Sequence, residues 1–464
     1  YRRLYRKRIL RQRKLPFVHS GEEERIYCGE VMRVERVLTQ LNQLIWGQGM
    51  TVLLILSALY FVCFARRYPL MRVKRRSSGE QKSKDAFFTA LAGTLGIGGM
   101  VGVAAVLTCA LPICVAAALA MGGAGAVFWM GVSALAGMVL KYVEVTLSCA
   151  SQVKTAQGWR GGAMVILEKL RHPAAAAFFC LCCMAAAFAM GALVPASSVC
   201  AALHLAFDLP PWISAAAFAL AAAVVLRGRG QAILKANRVL IRLATLLYVG
   251  MCLWIIFTHA ERIGTIGEQI LREAFDFSAA ASGGSGFALS KAVRYGVSRG
   301  IFSHEAGMGS APLSYASAPV SDPARQGLMG VAEVFVDTFL VCMLTAFALL
   351  IIGIDGYGQD GMTLMMTAFS RAIGPAGPAL IAFFIVLFAF PCVLGWYYYA
   401  SVCLTYLSGS TLLADGYRLS FLLMIAAGAM LSGSLIWEIS DLLNGCMTVL
   451  NLAALFLARR LTDP

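Results

Sequence analysis

Residues 91–104 read LAGTLGIGGMVGVA, and Gly93, Gly96, Gly98, Gly99 and Gly102 crowd successive turns of it. The stretch lies inside an apolar run, roughly 86–122, too long for anything but a membrane. Each glycine costs a helix interior about 1 kcal/mol relative to alanine. It is favoured where the backbone unwinds or where another backbone or a ligand comes close. Irregular backbone at bilayer depth is tolerated only where protein buries it or it lines a cavity. Broken helices of this kind build the midplane sites of secondary transporters. Small-residue helix packing of the G-x-x-x-G type accounts for the same glycine density, and the stretch alone leaves both readings open.

Composition narrows the class. The chain has 464 residues, 59% of them hydrophobic, and only 14% charged. That is a polytopic membrane protein without room for a large soluble domain. The formal charge of +15 comes from short basic clusters between apolar runs, so it reports topology rather than nucleic-acid binding. The fourteen cysteines fall mostly within apolar runs and read as small buried hydrophobes. No G-x-x-x-x-G-K-[ST] loop, metal-spaced His/Asp/Glu cluster or G-x-S-x-G elbow occurs, which argues against a pump, a metalloenzyme and a serine hydrolase. No cofactor is expected.

The chain divides into three parts. Residues 1–31, strongly basic and then GEEER, read as a leader foreign to the rest, with Met32 as the expected native start. Residues 32–85 hold an amphipathic stretch, a first span near 50–64 and the densest basic loop, which is expected to be cytoplasmic. Residues 86–460 form the core. Its spans are expected near 86–122, 126–150, 174–205, 213–226, 239–257, 286–302, 328–354, 379–407, 419–436 and 439–457. The total is about eleven, with the N-terminus outside and the C-terminus inside. Without the first span, the glycine-broken helix and the weak, arginine-bearing helix at 286–302 take equivalent places in two halves. That is the pattern of an inverted repeat.

Several separated blocks resemble the sodium:alanine symporter family (the alanine or glycine:cation symporters). They are LAGTLGIGGMVGVA with GGAGAVFWMGVSALAGMVLKYVEVTLS, RGIFSHEAGMGSAPLSYASAP with RQGLMGVAEVFVDTFLVC, FAFPCVLGWYYYASVCLTYLSG, and WEISDLLNGCMTVLNLAALFL. The resemblance extends from about Glu35 to about Arg460. It implies an all-α leucine-transporter-like fold with a five-plus-five inverted repeat and one added N-terminal span. It also implies sodium-coupled symport of small neutral amino acids, alanine or glycine, across the bacterial inner membrane, with proton coupling, an altered substrate or a degenerate, non-transporting member as the alternatives.

By this resemblance Gly93, Thr94, Gly96, Gly98 and Gly99 supply backbone groups to substrate, with hydroxyls from Ser197 and Ser198. The coupling ion is expected at Gly93, Gly96, Pro391 and Cys392. Asp337, a charge deep within a span, is by its position either a coupling-ion or proton residue or a hydrogen-bonded packing carboxylate. Arg299, Ser303, His304 and Glu305 are expected in a gate or inner loop. The pattern also departs from the family. Side-chain oxygens are replaced by Ile97, Gly99, Ala192, Pro195, Pro391 and Cys392, and His304 stands where the family has Asn. A hard cation prefers oxygen ligands, so weaker sodium binding is expected. Pro391, lacking an amide donor, frees a carbonyl one turn earlier.

One spacing differs. AVLTCALPICVAAALAM, residues 105–121, inserts about a dozen residues, or some three helical turns, into the family pattern. Cys109-Ala110-Leu111-Pro112-Ile113 is what a sequencing-adapter stretch encodes in one frame, so the extra residues are expected to come from assembly. Among charged residues within spans, Lys141 and Glu144 are three apart on one helix face and are expected to pair structurally.

Overall fold

A computed structural model of the chain describes residues 37–46, 48–64, 112–156, 158–227, 230–275, 286–353, 361–430 and 433–458. The glycine stretch at 91–104 lies outside them, and with it Gly93, Thr94, Gly96, Gly98 and Gly99.

The architecture is all-helical apart from one small hairpin. In chain order the elements are α1 (Gln48–Phe64), α2 (Pro112–Gly122), α3 (Gly125–Ala150), β1 (Val153–Thr155), β2 (Gly158–Arg160) and α4 (Ala163–Lys169). Next come α5 (Pro173–Ala186), α6 (Val194–Phe207), α7 (Pro211–Leu226), α8 (Gly230–Thr258) and α9 (Ile263–Ala274). The remainder are α10 (Gly286–His304), α11 (Ala311–Tyr315), α12 (Pro323–Val334), α13 (Met343–Ile351), α14 (Gly361–Ile373), α15 (Gly377–Leu407), α16 (Thr411–Ala427) and α17 (Gly433–Leu457). Strands β1 and β2 pair antiparallel, Val153 opposite Arg160.

Among the described residues six helices are long and apolar enough to cross a membrane, or seven if the bent pair formed by α8 and α9 is one span. The difference from about eleven has physical causes. Helices α2 and α7 are apolar but short. Helix α10 carries Lys291, Arg294 and Arg299, and α16 carries Asp415 and Arg418, so neither is long and apolar enough to qualify.

Local chemistry sets the ends. Proline opens α5, α7 and α12, where its missing N–H is one of the orphans a helix start leaves anyway. Asp322 caps α12 by accepting the Arg325 N–H at 3.2 Å, and Ser410 caps α16 through the Leu413 N–H at 3.5 Å. That serine cap starts α16 eight residues before the expected 419, and the polar Asp415–Arg418 pair at 2.9 Å lies on its exposed face. The loop expected at 258–285 instead contains α9, bent 79° from α8. Its Glu273 carboxylate accepts the Ala124 N–H at 2.8 Å, capping α3 from outside, and Trp129 donates to Ala274 O at 3.1 Å.

Helix α3 is the packing centre. Gly296 and Gly300, spaced G-x-x-x-G on α10, bring that helix against it so closely that a methyl at either would strike the α3 backbone or Ser133. Gly327 and Gly330 of α12 do the same at Thr146 and Lys141. Helix α1 lies along α17 and parallel to it. Trp46, just before α1, donates to Asp441 O at 2.6 Å. Fifteen residues further on in both chains, the Phe61 and Phe456 rings stack at 5.2 Å.

Two long helices carry π segments, the first at Ala187–Leu193 between α5 and α6 and the second at Phe335–Cys342 between α12 and α13. Such widened turns free backbone groups and recur at functional sites.

Candidate functional site

The second block that carried the family resemblance is a helix break. Helix α10 ends at His304, and α11 restarts at Ala311. Between them Glu305 takes φ 51°, Gly307 φ +85° and Gly309 φ +80°, a left-handed succession that glycine adopts without strain. The break is wholly buried, so its polar groups need partners. Glu144 of α3 supplies one. Its Oε2 accepts the Gly307 N–H at 3.1 Å, the Gly309 N–H at 3.3 Å and the Asn451 amide at 2.9 Å. Asn451 also donates to Gly307 O at 2.9 Å. Ser310 donates to Glu305 at 2.6 Å, and the Ala306 N–H donates to His304 Nδ1 at 3.1 Å. The break is thus held open as backbone by side chains from α3 and α17.

Beside it lies the π segment of α12–α13. Ser303 donates its hydroxyl to Asp337, with oxygens at 3.0 and 2.8 Å, and Thr338 donates to the same carboxylate at 3.2 Å. Ser303 Oγ also lies 3.2 Å from Cys342 Sγ. Asp337, Ser303 and Thr338 are all buried. They present carboxylate and hydroxyl oxygens at the last turn before the break, a donor set suited to a hard monovalent cation or a proton.

The other π segment presents backbone. Val194 N–H bonds Ala189 O, one residue further back than in an α-helix. The next position is Pro195, which has no N–H, so Met190 O is left without a partner in its own helix. Cys392 of α15 fills the place, with its thiol donating to Met190 O at 3.7 Å. Cys392 follows Pro391, itself inside α15. Two proline defects on facing helices therefore meet at Met190 and Cys392. Gly191 lies flush on Trp396 of α15, leaving no space for even a methyl.

The remaining expected residues fall as follows. Ser197 and Ser198 both donate to Val194 O, at 3.0 and 2.8 Å, spending their hydroxyl protons within their own helix. Arg299, Ser303, His304 and Glu305 do not form an inner loop. All four are buried, three in the last turns of α10 and Glu305 at the break. The expectation of a gate or inner loop did not foresee this burial, in which Arg299 and Glu305 meet buried partners. Arg299 makes a bidentate pair with Asp441 of α17 at 3.0 and 2.7 Å and stacks on Trp437 at 4.5 Å. Lys141 and Glu144 are both buried, but the pair is loose at 3.9 Å, and Lys141 lies nearer to Glu333 of α12 at 3.5 Å. Sequence reasoning missed Glu333, Tyr315 and Asn451. Glu333 and Asn451 lie far along the chain from the groups they meet on α3, and no local spacing signals them.

Residues 31–462 match the sodium:alanine symporter family. The sodium/alanine symporter AgcS of Methanococcus maripaludis is 32% identical over 444 residues, covering 91% of this chain and 94% of the relative. The probable sodium/glutamine symporter GlnT of Bacillus subtilis is 31% identical, covering 91% and 88%. An uncharacterized transporter of Haemophilus influenzae is 33% identical, covering 92% and 94%. Among solved structures, the manganese transporter of Eremococcus coleocola, in a histidine-to-alanine mutant, superposes with a TM-score of 0.53 at 14% identity, covering 82% of this chain and 79% of that one. At that identity the likeness establishes the fold alone, a multi-pass helical one. With a match that runs over nearly the whole length, the chain is a transporter and not an enzyme, and it belongs to the sodium:alanine symporter family.

Proposed function

We propose that this chain is a sodium-coupled symporter of small neutral amino acids, alanine or glycine, in a bacterial inner membrane. The observation that carries the reading is the buried break between α10 and α11 with the Ser303–Asp337 pair at its edge. Broken helices of this kind meet substrate and cation in secondary transporters, and here Glu144 and Asn451 hold the Gly307 and Gly309 backbone in place beside that site. Gly93, Thr94, Gly96, Gly98 and Gly99 form the opposite wall in this reading. Sodium has two supports, the oxygens around Asp337 and the carbonyl of Met190 beside Cys392. A glutamine substrate is the second reading, favoured by the 31% identity to the probable sodium/glutamine symporter.

The helices are arranged as two inverted repeats of about five spans each, with α1 as an added span. The parallel course of α1 and α17 supports this, because two spans that run the same way require an odd total, as about eleven does. Together with the basic loop after α1, it supports an outer N-terminus and an inner C-terminus.

The test is uptake of labelled alanine, glycine and glutamine into proteoliposomes, with and without an inward sodium gradient. Sodium-driven accumulation of one of them is expected, and Asp337→Asn is expected to remove the sodium stimulation. Accumulation driven by a proton gradient but indifferent to sodium would sink the sodium reading. Facilitated flux that follows no gradient would sink symport altogether.

A further inference from the structure

Among the described residues Lys141 is a single buried ammonium beside buried carboxylates. Glu333 approaches its Nζ to 3.5 Å and Glu144 to 3.9 Å, and neither makes a hydrogen bond to it. Glu305 and Asp337 lie within electrostatic range of Glu333. The other groups facing the cluster are Tyr315 of α11, which donates to Glu333 at 2.7 Å, and His304 of α10, near Lys141. Cys149 lies behind Tyr315. With Glu144, Glu333 and Asp337 all ionised, Lys141 would be one positive charge facing three negative ones among the described residues, all of them buried. An uncompensated charge taken out of water is strongly disfavoured, and carboxylates that share a site do not all ionise.

The partners say which carboxylate gives way. Glu144 receives three N–H donors on one oxygen. Asp337 receives hydroxyls from Ser303 and Thr338. Glu333 receives a single O–H, from Tyr315, and a cation too far for a hydrogen bond. Of these three it is the anion with the fewest donors, and it faces two like charges.

We propose that Glu333 is a proton-binding site, in which Lys141 and Glu144 are the fixed ion pair and Tyr315 is the hydrogen-bond partner that ties the proton to α11. The proton comes from water on one side, sits on Glu333 Oε2 and leaves to water on the other. In the protonated form the 2.7 Å contact is kept, with Glu333 donating to the Tyr315 oxygen. Tyr315 belongs to the short helix beyond the break, and Glu333 to the last turn before the π segment that holds Asp337. Any movement of α11 relative to α12 changes the contact and with it the proton affinity. By linkage, protonation then biases that movement. The proposal goes beyond sodium symport. It adds a proton to the cycle whether or not the substrate is alanine.

Infrared difference spectra of the purified full chain in lipid nanodiscs, recorded between about pH 9 and about pH 6, test the site without any transport. A carboxylic-acid carbonyl band is expected to grow on acidification in the wild type and in Glu144→Gln and Asp337→Asn. It is expected to be absent in Glu333→Gln. A band that survives Glu333→Gln overturns the proposal, and so does one lost only in Asp337→Asn. Should Glu333→Gln not fold, Tyr315→Phe serves. Losing the O–H that supports the anion moves the midpoint of the band to higher pH, and an unmoved midpoint rejects the site. In vesicles loaded with a pH dye, amino-acid-driven acidification is expected and is abolished in Glu333→Gln. Uptake that is sodium-driven but carries no proton overturns the coupling while leaving symport standing.

Discussion

Two buried ion pairs join the same helix, α10, and the break after it to the rest of the molecule, and they are built to opposite ends. Arg299 and Asp441 meet in a bidentate pair with a ring of Trp437 under the guanidinium. Trp46 donates to the backbone carbonyl of the same aspartate. Lys141, Glu144 and Glu333 meet loosely, with the Lys141 ammonium and one Glu144 oxygen unpartnered by any hydrogen bond among the described residues. The first arrangement uses its charges up on each other and clamps α10 to α17. The second leaves charge over. A closed pair is a fixture, whereas an open one has something to exchange: among the described residues Arg299 leaves only its Nε without a hydrogen bond, while the Lys141 ammonium makes none.

The largest effect should follow from breaking the closed pair. Replacing Arg299 or Asp441 with alanine strands a buried charge, which costs about 3–5 kcal/mol. Thermal unfolding in detergent is expected to fall steeply for each single variant. The double variant Arg299→Ala with Asp441→Ala is expected to recover part of that loss, because no lone charge remains. If the double variant is as unstable as the sum of the two singles, the pair is not acting as a unit. Arg299→Lys keeps the charge but loses the fork and the stacking on Trp437, and it is expected to fall in between.

On the open side the same logic predicts less. Glu144→Gln retains one acceptor for the Gly307 and Gly309 amides but weakens three charge-assisted bonds and leaves Lys141 with Glu333 alone. A loss of about 2 kcal/mol is expected, together with faster amide exchange at residues 306–310. Unchanged exchange there would mean that the break holds its shape without α3. Gly309→Ala is expected to cost about 1–2 kcal/mol. Its φ of +80° is unfavourable for alanine, and a Cβ there would come within 2.8 Å of Asn451 Oδ1. Combining it with Asn451→Ala should relieve the contact but not the backbone strain.

Much of this was legible in the chain. The apolar runs marked many of the spans, and the FSHEAGMGSAP block carried the family resemblance, but that its glycines break the helix is visible only in the structure. Pro195 and Pro391 announced missing donors, although only the structure shows that their consequences meet at Met190 and Cys392. The π segment at Phe335–Cys342 has no comparable sign, since FVDTFLVC suits an ordinary helix. Arg299 was legible as a charge interrupting the weak helix at 286–302, but its partner Asp441, 142 positions away, was not. The start of α16 was hidden behind Asp415 and Arg418, whose charges satisfy each other on an exposed face. Charge reads locally as surface, and only the third dimension shows when it has been paired.

The smallest predicted effect sharpens the contrast between the two π segments, one carrying a carboxylate and the other only a bare carbonyl and a thiol. Cys392→Ser keeps the size of the side chain and its bond to Met190 O, but turns a soft sulfur into a hard oxygen. If the cation is held between the two proline defects, the sodium concentration for half-maximal uptake should fall about three- to tenfold, the equivalent of about 1 kcal/mol. Thermal stability should change by less than that. If the sodium dependence is untouched, the cation does not sit at Met190, and the oxygens around Asp337 are left to bind it alone. The serine then measures which of the two widened turns the transport cycle uses for its ion.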